Sequence, residues 1–297
     1  MNIGFIGLGV MGRPMASHLI AAGHVVYLNR VRQVSSFLVE QGGIAADTPR
    51  AVASSADIVI LMLPDTPDVE TVLFGQDGVA EGLSNGKLVI DMSSISPVET
   101  RKFARRIEAA GCQYVDAPVS GGEAGARSAG LTIMAGGTPE AVERAMPLFD
   151  ILGKTITHIG PVGDGQVAKV ANQIVVGLTI QAVAEAFTLV ERAGSDRSKV
   201  REALLGGLAK STILDTHGRR MIDEAFAPGF RIQLHRKDIA LATTTARQLG
   251  LALPGVGALE QLMNAAVGCG DGDLDHSALV KSIRAMAGLG EKAEPAS

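Results

Sequence analysis

The feature that most constrains this chain is a change of pattern at Gly165. Before it, short apolar runs (NIGFIGLG, VVYLN, DIVILML, KLVIDMS, CQYVDAPV, LTIMAGG and KTITHIG) alternate with stretches of helical period, one of them opened by Thr138 as N-cap and Pro139 at the first helical position. Strand and helix in alternation predict a parallel, doubly wound α/β sheet up to about residue 163. After Gly165 the strand signal stops. One helix is expected from there to Gly194, roughly 30 residues and about 45 Å long, and only helices follow it. The division expected is 1–163 for a sheet domain and 164–297 for an all-helical domain that serves substrate binding and oligomerisation, with the polar tail EKAEPAS frayed.

Composition narrows the classes of function. A net charge of −4 offers no basic face, so no nucleic-acid or anionic-membrane partner is expected. Cys112 and Cys269 form neither a disulfide framework nor a cysteine–histidine cluster, so no metal is expected and a reducing cytoplasm is. The first residues lack the basic segment of a signal peptide, and the longest apolar runs are too short to span a bilayer.

Three motifs carry chemistry in the first half. Gly7-Leu8-Gly9-Val10-Met11-Gly12 follows a strand and opens a helix. That context suits a tight turn, close approach to a pyrophosphate and close helix–strand packing at its three glycines, which points to a Rossmann-type dinucleotide site. About 20 residues on, where NAD binders place a carboxylate, stand Asn29, Arg30 and Arg32. They read as a pocket for the 2′-phosphate of NADP, or as two solvated arginines at a helix start. Ser120-Gly121-Gly122 then ends a strand with one hydroxyl and unhindered amides, a nest for a carboxylate or a plain flexible loop.

The last motif is GQVAKVANQ at 165–173. An ammonium on a helix apolar nearly all round either snorkels to water or works in a site, because burying it alone costs several kcal/mol. Gly165, Lys169 and Asn172 share one helical face at i, i+4 and i+7, the glycine leaving room beside the lysine. From that face Lys169 could give a proton to a carbonyl oxygen as hydride arrives, with Asn172 holding the amine or the oxygen. His18, His24, His158, His217 and His235 have no carboxylate or cysteine at useful spacing and read as surface or core; His276 follows a capping Asp275 and could line a pocket; Ser211 is a cap or a substrate contact.

GFIGLGVMGRPMA, MLPDTPDV, DMSSISP, DAPVSGGEAGA, GQVAKVANQ, FRIQLHRKDIALA and DHSAL occur in the order found in the β-hydroxyacid dehydrogenase family, which this chain resembles from residue 1 to about 288. The resemblance implies a Rossmann-type sheet followed by an all-α domain joined by a long helix. It implies reduction of a small β-oxo acid such as tartronate semialdehyde, or oxidation of a relative such as 3-hydroxyisobutyrate or 4-hydroxybutyrate, with NADP as cofactor and NAD as the alternative. Lys169 is then the acid/base assisted by Asn172; Ser120, Gly121 and Gly122 hold the substrate carboxylate. Met62, Leu63, Pro64 and Ser94 touch the cofactor, and Lys237 contributes to substrate and cofactor binding. Val31 departs from the Ser or Thr that often follows Asn-Arg in NADP-using members. An imine reductase would lack the lysine, and a non-catalytic dinucleotide-binding scaffold would have lost it. The partners expected are a small carboxylate substrate and a second copy of the chain, as a homodimer or homotetramer through the long apolar helix.

Overall fold

The computed structural model describes residues 1–289, which form two compact units meeting at Lys169 and Val170. The EKAEPAS tail lies outside the described residues.

The first unit is a nine-stranded sheet. Its strands are β1 (Asn2–Ile6), β2 (Val25–Asn29), β3 (Ile44–Ala46), β4 (Ile58–Leu61), β5 (Leu88–Asp91), β6 (Gln113–Asp116), β7 (Val119–Ser120), β8 (Leu131–Gly136) and β9 (Gly153–Gly160). The order 3-2-1-4-5-6 is parallel and doubly wound, as the alternation predicts. Successive residues explain why these strands read as unbroken apolar runs. Ile3 and Phe5, Ile58 and Ile60, Leu88 and Ile90 enter the core on one face, while Ile6, Val59, Leu61 and Val89 enter the core on the other. Helices cover both faces, so every side chain of the central strands β4 and β5 is buried.

Three details depart from the sequence reading. The sheet is not parallel throughout: β8 runs antiparallel to β6 and β7 before β9 pairs parallel with it. The run CQYVDAPV divides into β6 and β7 around Ala117-Pro118, since proline has no amide to give a ladder. β3, three residues at the sheet edge of which Ile44 and Ala45 are exposed, carries too little apolar pattern to be seen.

The second unit is helical. Helices Arg197–Leu205, Thr212–Ile222, Ile232–Gln248, Pro254–Gly268 and Leu279–Met286 accompany the Val170–Arg192 part of a 29-residue helix, Asp164–Arg192. Its core gathers Ile180, Ala184 and Phe187 of that long helix with Leu214, Ile239, Leu259, Met263 and Leu279. The long helix is, by length and composition, apolar enough to cross a membrane, with mean hydropathy 1.6 over its most apolar 18 residues. Its short runs concealed this, because Gly, Thr, Gln and Glu interrupt the Ile, Val, Leu and Phe residues that raise the average. The core it supplies accounts for part of that apolarity; Val175 and Leu189 remain 65% and 70% exposed.

Candidate active site

The glycine-rich loop joins β1 to the helix Gly12–Ala21. A Cβ on Gly7, whose φ is +108°, would lie 2.1 Å from the Met62 carbonyl oxygen, and one on Gly12 would lie 1.8 Å from the Gly7 oxygen. Both glycines are demanded by packing. A Cβ on Gly9 would meet nothing within 4 Å, so there the backbone is open to a ligand. No side chain caps this helix; in its first turn Arg13 gives its amide to the Gly9 oxygen at 3.1 Å and Pro14 has none to give. Leu8 and Met11 are half-buried, while Val10 is exposed at the rim.

At the carboxyl end of β2, Asn29 is buried and donates through Nδ2 to the Ala46 carbonyl at 3.2 Å. Its Oδ1 is buried with no hydrogen-bond partner. Arg30 is exposed in the left-handed region at φ +56°. Arg32 heads a short 3-10 turn, its amide bonded to Ser35 Oγ at 2.9 Å, so the helix-start reading describes its backbone. Leu63 donates its amide to Ser93 Oγ at 2.9 Å, Pro64 is exposed, and Ser94 follows half-buried after β5.

The carboxyl ends of β5 and β6 hold a polar cluster that the sequence reading missed. Asp91 and Asp116 are paired across the two strands and both fully buried. Asp91 accepts from the Ser93 amide at 2.9 Å and from the Tyr114 hydroxyl at 3.1 Å. Asp116 accepts from the amides of Gly163 and Gln166 at 2.6 and 2.8 Å, which caps the long helix. Burial raises the Asp116 carboxyl to about 7 against the lowering effect of those amides, with the Asp91 charge adding to the rise. Burial and the charges of Asp91 and Asp116 likewise push the Tyr114 hydroxyl well above its usual value. Gln166 completes the cluster by giving Nε2 to Ser93 O at 2.7 Å and accepting the Ile95 amide at 3.1 Å. The available signal was the acid that closes each apolar run, in VID and YVD.

Ser120, Gly121 and Gly122 stand at the same edge of the sheet, with φ of +130° and +58° at the two glycines. Lys169 is 8% exposed and does not snorkel. Gly165 has a different task from the one expected: a Cβ there would press on Met134 O at 2.3 Å and Asp116 O at 2.8 Å, so the glycine seats the helix on the sheet instead of making room for the lysine.

Asn172 lies nearly one turn beyond Lys169 on the same helix. In the helical unit Asn172 Nδ2 donates to Gln173 Oε1 at 2.8 Å, Gln173 Nε2 donates to Asp238 Oδ2 at 2.6 Å, and Asp238 forms an ion pair with Lys237 at 3.0 Å. Two residues assigned from separate motifs are thereby joined through two that were not singled out. Ser211 is a cap, accepting from the Leu214 amide at 3.0 Å. His217 and His235, read as lone side chains, instead meet His276 and Asp275; sequence separations of 41 and 59 residues hid the cluster.

A glycine-rich loop at the strand-to-helix turn of a doubly wound sheet, a helical second domain and a buried lysine at the head of the helix that leads into it are the marks of a nicotinamide-dinucleotide oxidoreductase. Residues 2–160 match the model of the NAD-binding domain of 6-phosphogluconate dehydrogenase, and 163–283 that of the NAD-binding domain of NADP-dependent 3-hydroxyisobutyrate dehydrogenase. The chain is 50% identical to 2-hydroxy-3-oxopropionate reductase of Escherichia coli over 97% of its length and 98% of the relative's. It is 34% identical to 2-(hydroxymethyl)glutarate dehydrogenase of Eubacterium barkeri, with 97% of each chain covered. The solved 3-hydroxyisobutyrate dehydrogenase of Mycobacterium tuberculosis superposes with a TM-score of 0.87 at 32% identity, covering 95% of this chain and 98% of that one. The chain belongs to the NAD(P)-dependent β-hydroxyacid dehydrogenase family, and its fold is the fold of that family.

Proposed function

We propose that the protein reduces tartronate semialdehyde (2-hydroxy-3-oxopropanoate) to glycerate, with NADPH as the preferred reductant. The observation that carries the substrate is the 50% identity over essentially the whole chain to a reductase of that name. When bound, the reduced nicotinamide supplies a hydride to the aldehyde carbon. Lys169 gives the proton that the carbonyl oxygen takes up, and Asn172 holds the amine or that oxygen. A buried amine suits this role, since water does not compete for its proton. Ser120, Gly121 and Gly122 receive the substrate carboxylate through a hydroxyl and amides that no Cβ shields.

The residues present fit the dinucleotide. The open backbone at Gly9 would receive the pyrophosphate, and the polar Asn29 with Arg30 would face the adenosine ribose and its 2′-phosphate. Leu63, Pro64 and Ser94 lie at the same sheet edge and would line the nicotinamide side. Lys237 is assigned to cofactor and substrate binding by the family resemblance, in keeping with the description of the helical domain's matched family as NAD-binding. The exposed apolar side chains of the long helix support a homodimer or homotetramer, and two free cysteines suit the cytoplasm.

A second reading, 3-hydroxyisobutyrate or 4-hydroxybutyrate oxidation, draws on the 32% identity and TM-score of 0.87 with a 3-hydroxyisobutyrate dehydrogenase. Steady-state rates with tartronate semialdehyde, methylmalonate semialdehyde and succinate semialdehyde decide between them. The proposal expects kcat/KM for tartronate semialdehyde to exceed the others at least tenfold; a preference for either of the others replaces it.

A further inference from the structure

Inside the helical unit three histidine rings form one chain between two acceptors. His235 Nε2 lies 3.2 Å from the Gln173 carbonyl oxygen; His235 Nδ1 lies 3.0 Å from His276 Nδ1; His276 Nε2 lies 3.3 Å from His217 Nε2. At the far end His217 Nδ1 is buried and faces Asp275 Oδ1 at 3.5 Å, with no closer partner. His235 and His276 are 0% and 5% exposed, and the His217 side chain is 18% exposed. Phe230 closes over His235 and His276. A Cβ on Gly177 of the long helix would press on Leu259 Cδ2 at 2.6 Å and come within 3.2 Å of His235 Nε2.

A neutral imidazole carries one N–H and one lone pair, so a row of neutral rings passes hydrogen bonds in one direction only. The Gln173 carbonyl requires an N–H from His235. His276 must then donate to His235, and His217 to His276. In that arrangement a neutral His217 would turn its remaining lone pair toward a carboxylate. Reversing every bond moves the same conflict to the Gln173 carbonyl. The conflict disappears when the row holds one proton more than three neutral rings supply.

We propose that His235, His276 and His217 hold this additional proton at neutral pH, the charge resting on His217 against Asp275, and that it fastens the Ile232–Gln248 helix to the long helix beside Asn172. Burial, aided by the neighbouring His235, depresses the His276 imidazolium, in keeping with a neutral ring at the centre. The charged groups facing the row are Asp275 and Arg220, with Arg231 and Asp273 beside them and the Lys237–Asp238 pair on the His235 helix. His217, Asp275 and His276 are close enough together to be weighed as a metal site. Asp275 is already engaged: Oδ2 takes Arg220 at 2.6 Å and the Gly229 and Phe230 amides, and Oδ1 takes the Ser277 amide and hydroxyl. Its oxygens already hold five donors at close range, which leaves no place for the short bond of a metal ion, whereas His217 Nδ1 stands further off at 3.5 Å. His235 is thus a positioning residue. The row's bearing on catalysis rests on the function proposed above, whereas its proton count does not.

The test is nitrogen-15 histidine NMR of the full-length protein as pH is raised, with His217→Gln and His235→Gln for assignment. The expected result is four N–H protons on the three rings at neutral pH, one lost in a single step as pH rises, with a concerted shift of the Asn172 and Gln173 side-chain amides. His217→Gln should abolish that step while the other resonances keep their folded positions. Should a variant not fold, the wild-type proton count and its pH response decide alone. Three N–H protons throughout, amides unmoved across the step, or displacement of imidazole protons by one equivalent of Zn²⁺ would each overturn the proposal. Because no turnover is measured, a wrong substrate leaves these outcomes unchanged.

Discussion

Asp116 caps the helix that bears Lys169, and its environment makes that cap depend on pH. Asp116→Asn keeps the shape and removes the charge. In the folded protein the carboxyl titrates at about 7, against an ordinary value of 3.8, chiefly because it is fully buried. A raised carboxylate means that the folded state binds the proton more tightly than the unfolded state. Stability from this group is complete below about pH 3.8 and is lost progressively as pH rises to about 7. The difference is on the order of 4 kcal/mol, at 1.36 kcal/mol for each tenfold change in proton affinity. Asparagine has no such slope, but its amide offers one acceptor where the carboxylate offers two. Losing one of the bonds from Gly163 or Gln166 costs about 1 to 3 kcal/mol against the ionised carboxylate, and less against the acid, whose hydroxyl oxygen is a weaker acceptor. The variant should therefore gain about 3 kcal/mol on wild type between pH 5 and pH 8, the two units of pH over which the wild-type carboxyl still titrates. Urea unfolding of both proteins at the two pH values measures this directly. A difference between the proteins that is the same at pH 5 and pH 8 would refute the reasoning, because the burial penalty would then be absent.

Three further outcomes follow from the site. Replacing Arg30 by Ala should lower the preference for NADPH over NADH by roughly ten- to a hundredfold, less if solvent screens this exposed side chain, while kcat/KM with NADH stays within about twofold. Gly121→Val forces a branched side chain into φ +130° and should raise KM for the aldehyde acid at least tenfold with folding retained by circular dichroism; an unchanged KM removes the carboxylate nest. Light scattering at micromolar concentration should give a multiple of 30.7 kDa, and Leu189→Glu together with Val175→Glu should shift it toward the monomer.

The fold was legible because burial on both faces leaves a plain signature. Strands with alternate residues in two cores, such as Ile58 to Leu61, read as unbroken apolar runs, and the long helix shows itself by the disappearance of such runs. The loop Gly7–Gly12 was legible for the same local reason, since strand, turn and helix are contiguous. What escaped was non-local. The pairing of Asp91 with Asp116 depends on two strands becoming neighbours, and the link from Asn172 to Lys237 through Gln173 and Asp238 depends on one helix packing on another. The histidine row needs three segments at once. Gly165 shows a subtler limit: helical spacing placed it on the lysine's face, but only the packed chain shows that Met134 O and Asp116 O occupy the space it vacates.

The measurement closest to the central claim is single-turnover reduction of tartronate semialdehyde by Lys169→Ala with NADPH bound, alongside NADPH affinity by fluorescence. The lysine sits on the long helix rather than on the glycine-rich loop, so cofactor affinity should stay within about threefold while the hydride-transfer rate falls about 10²- to 10⁴-fold, the range of general acid catalysis. Lys169→Arg should recover little, since a guanidinium does not release its proton at working pH. A Lys169→Ala protein that reduces the aldehyde within threefold of the wild-type rate would contradict the account.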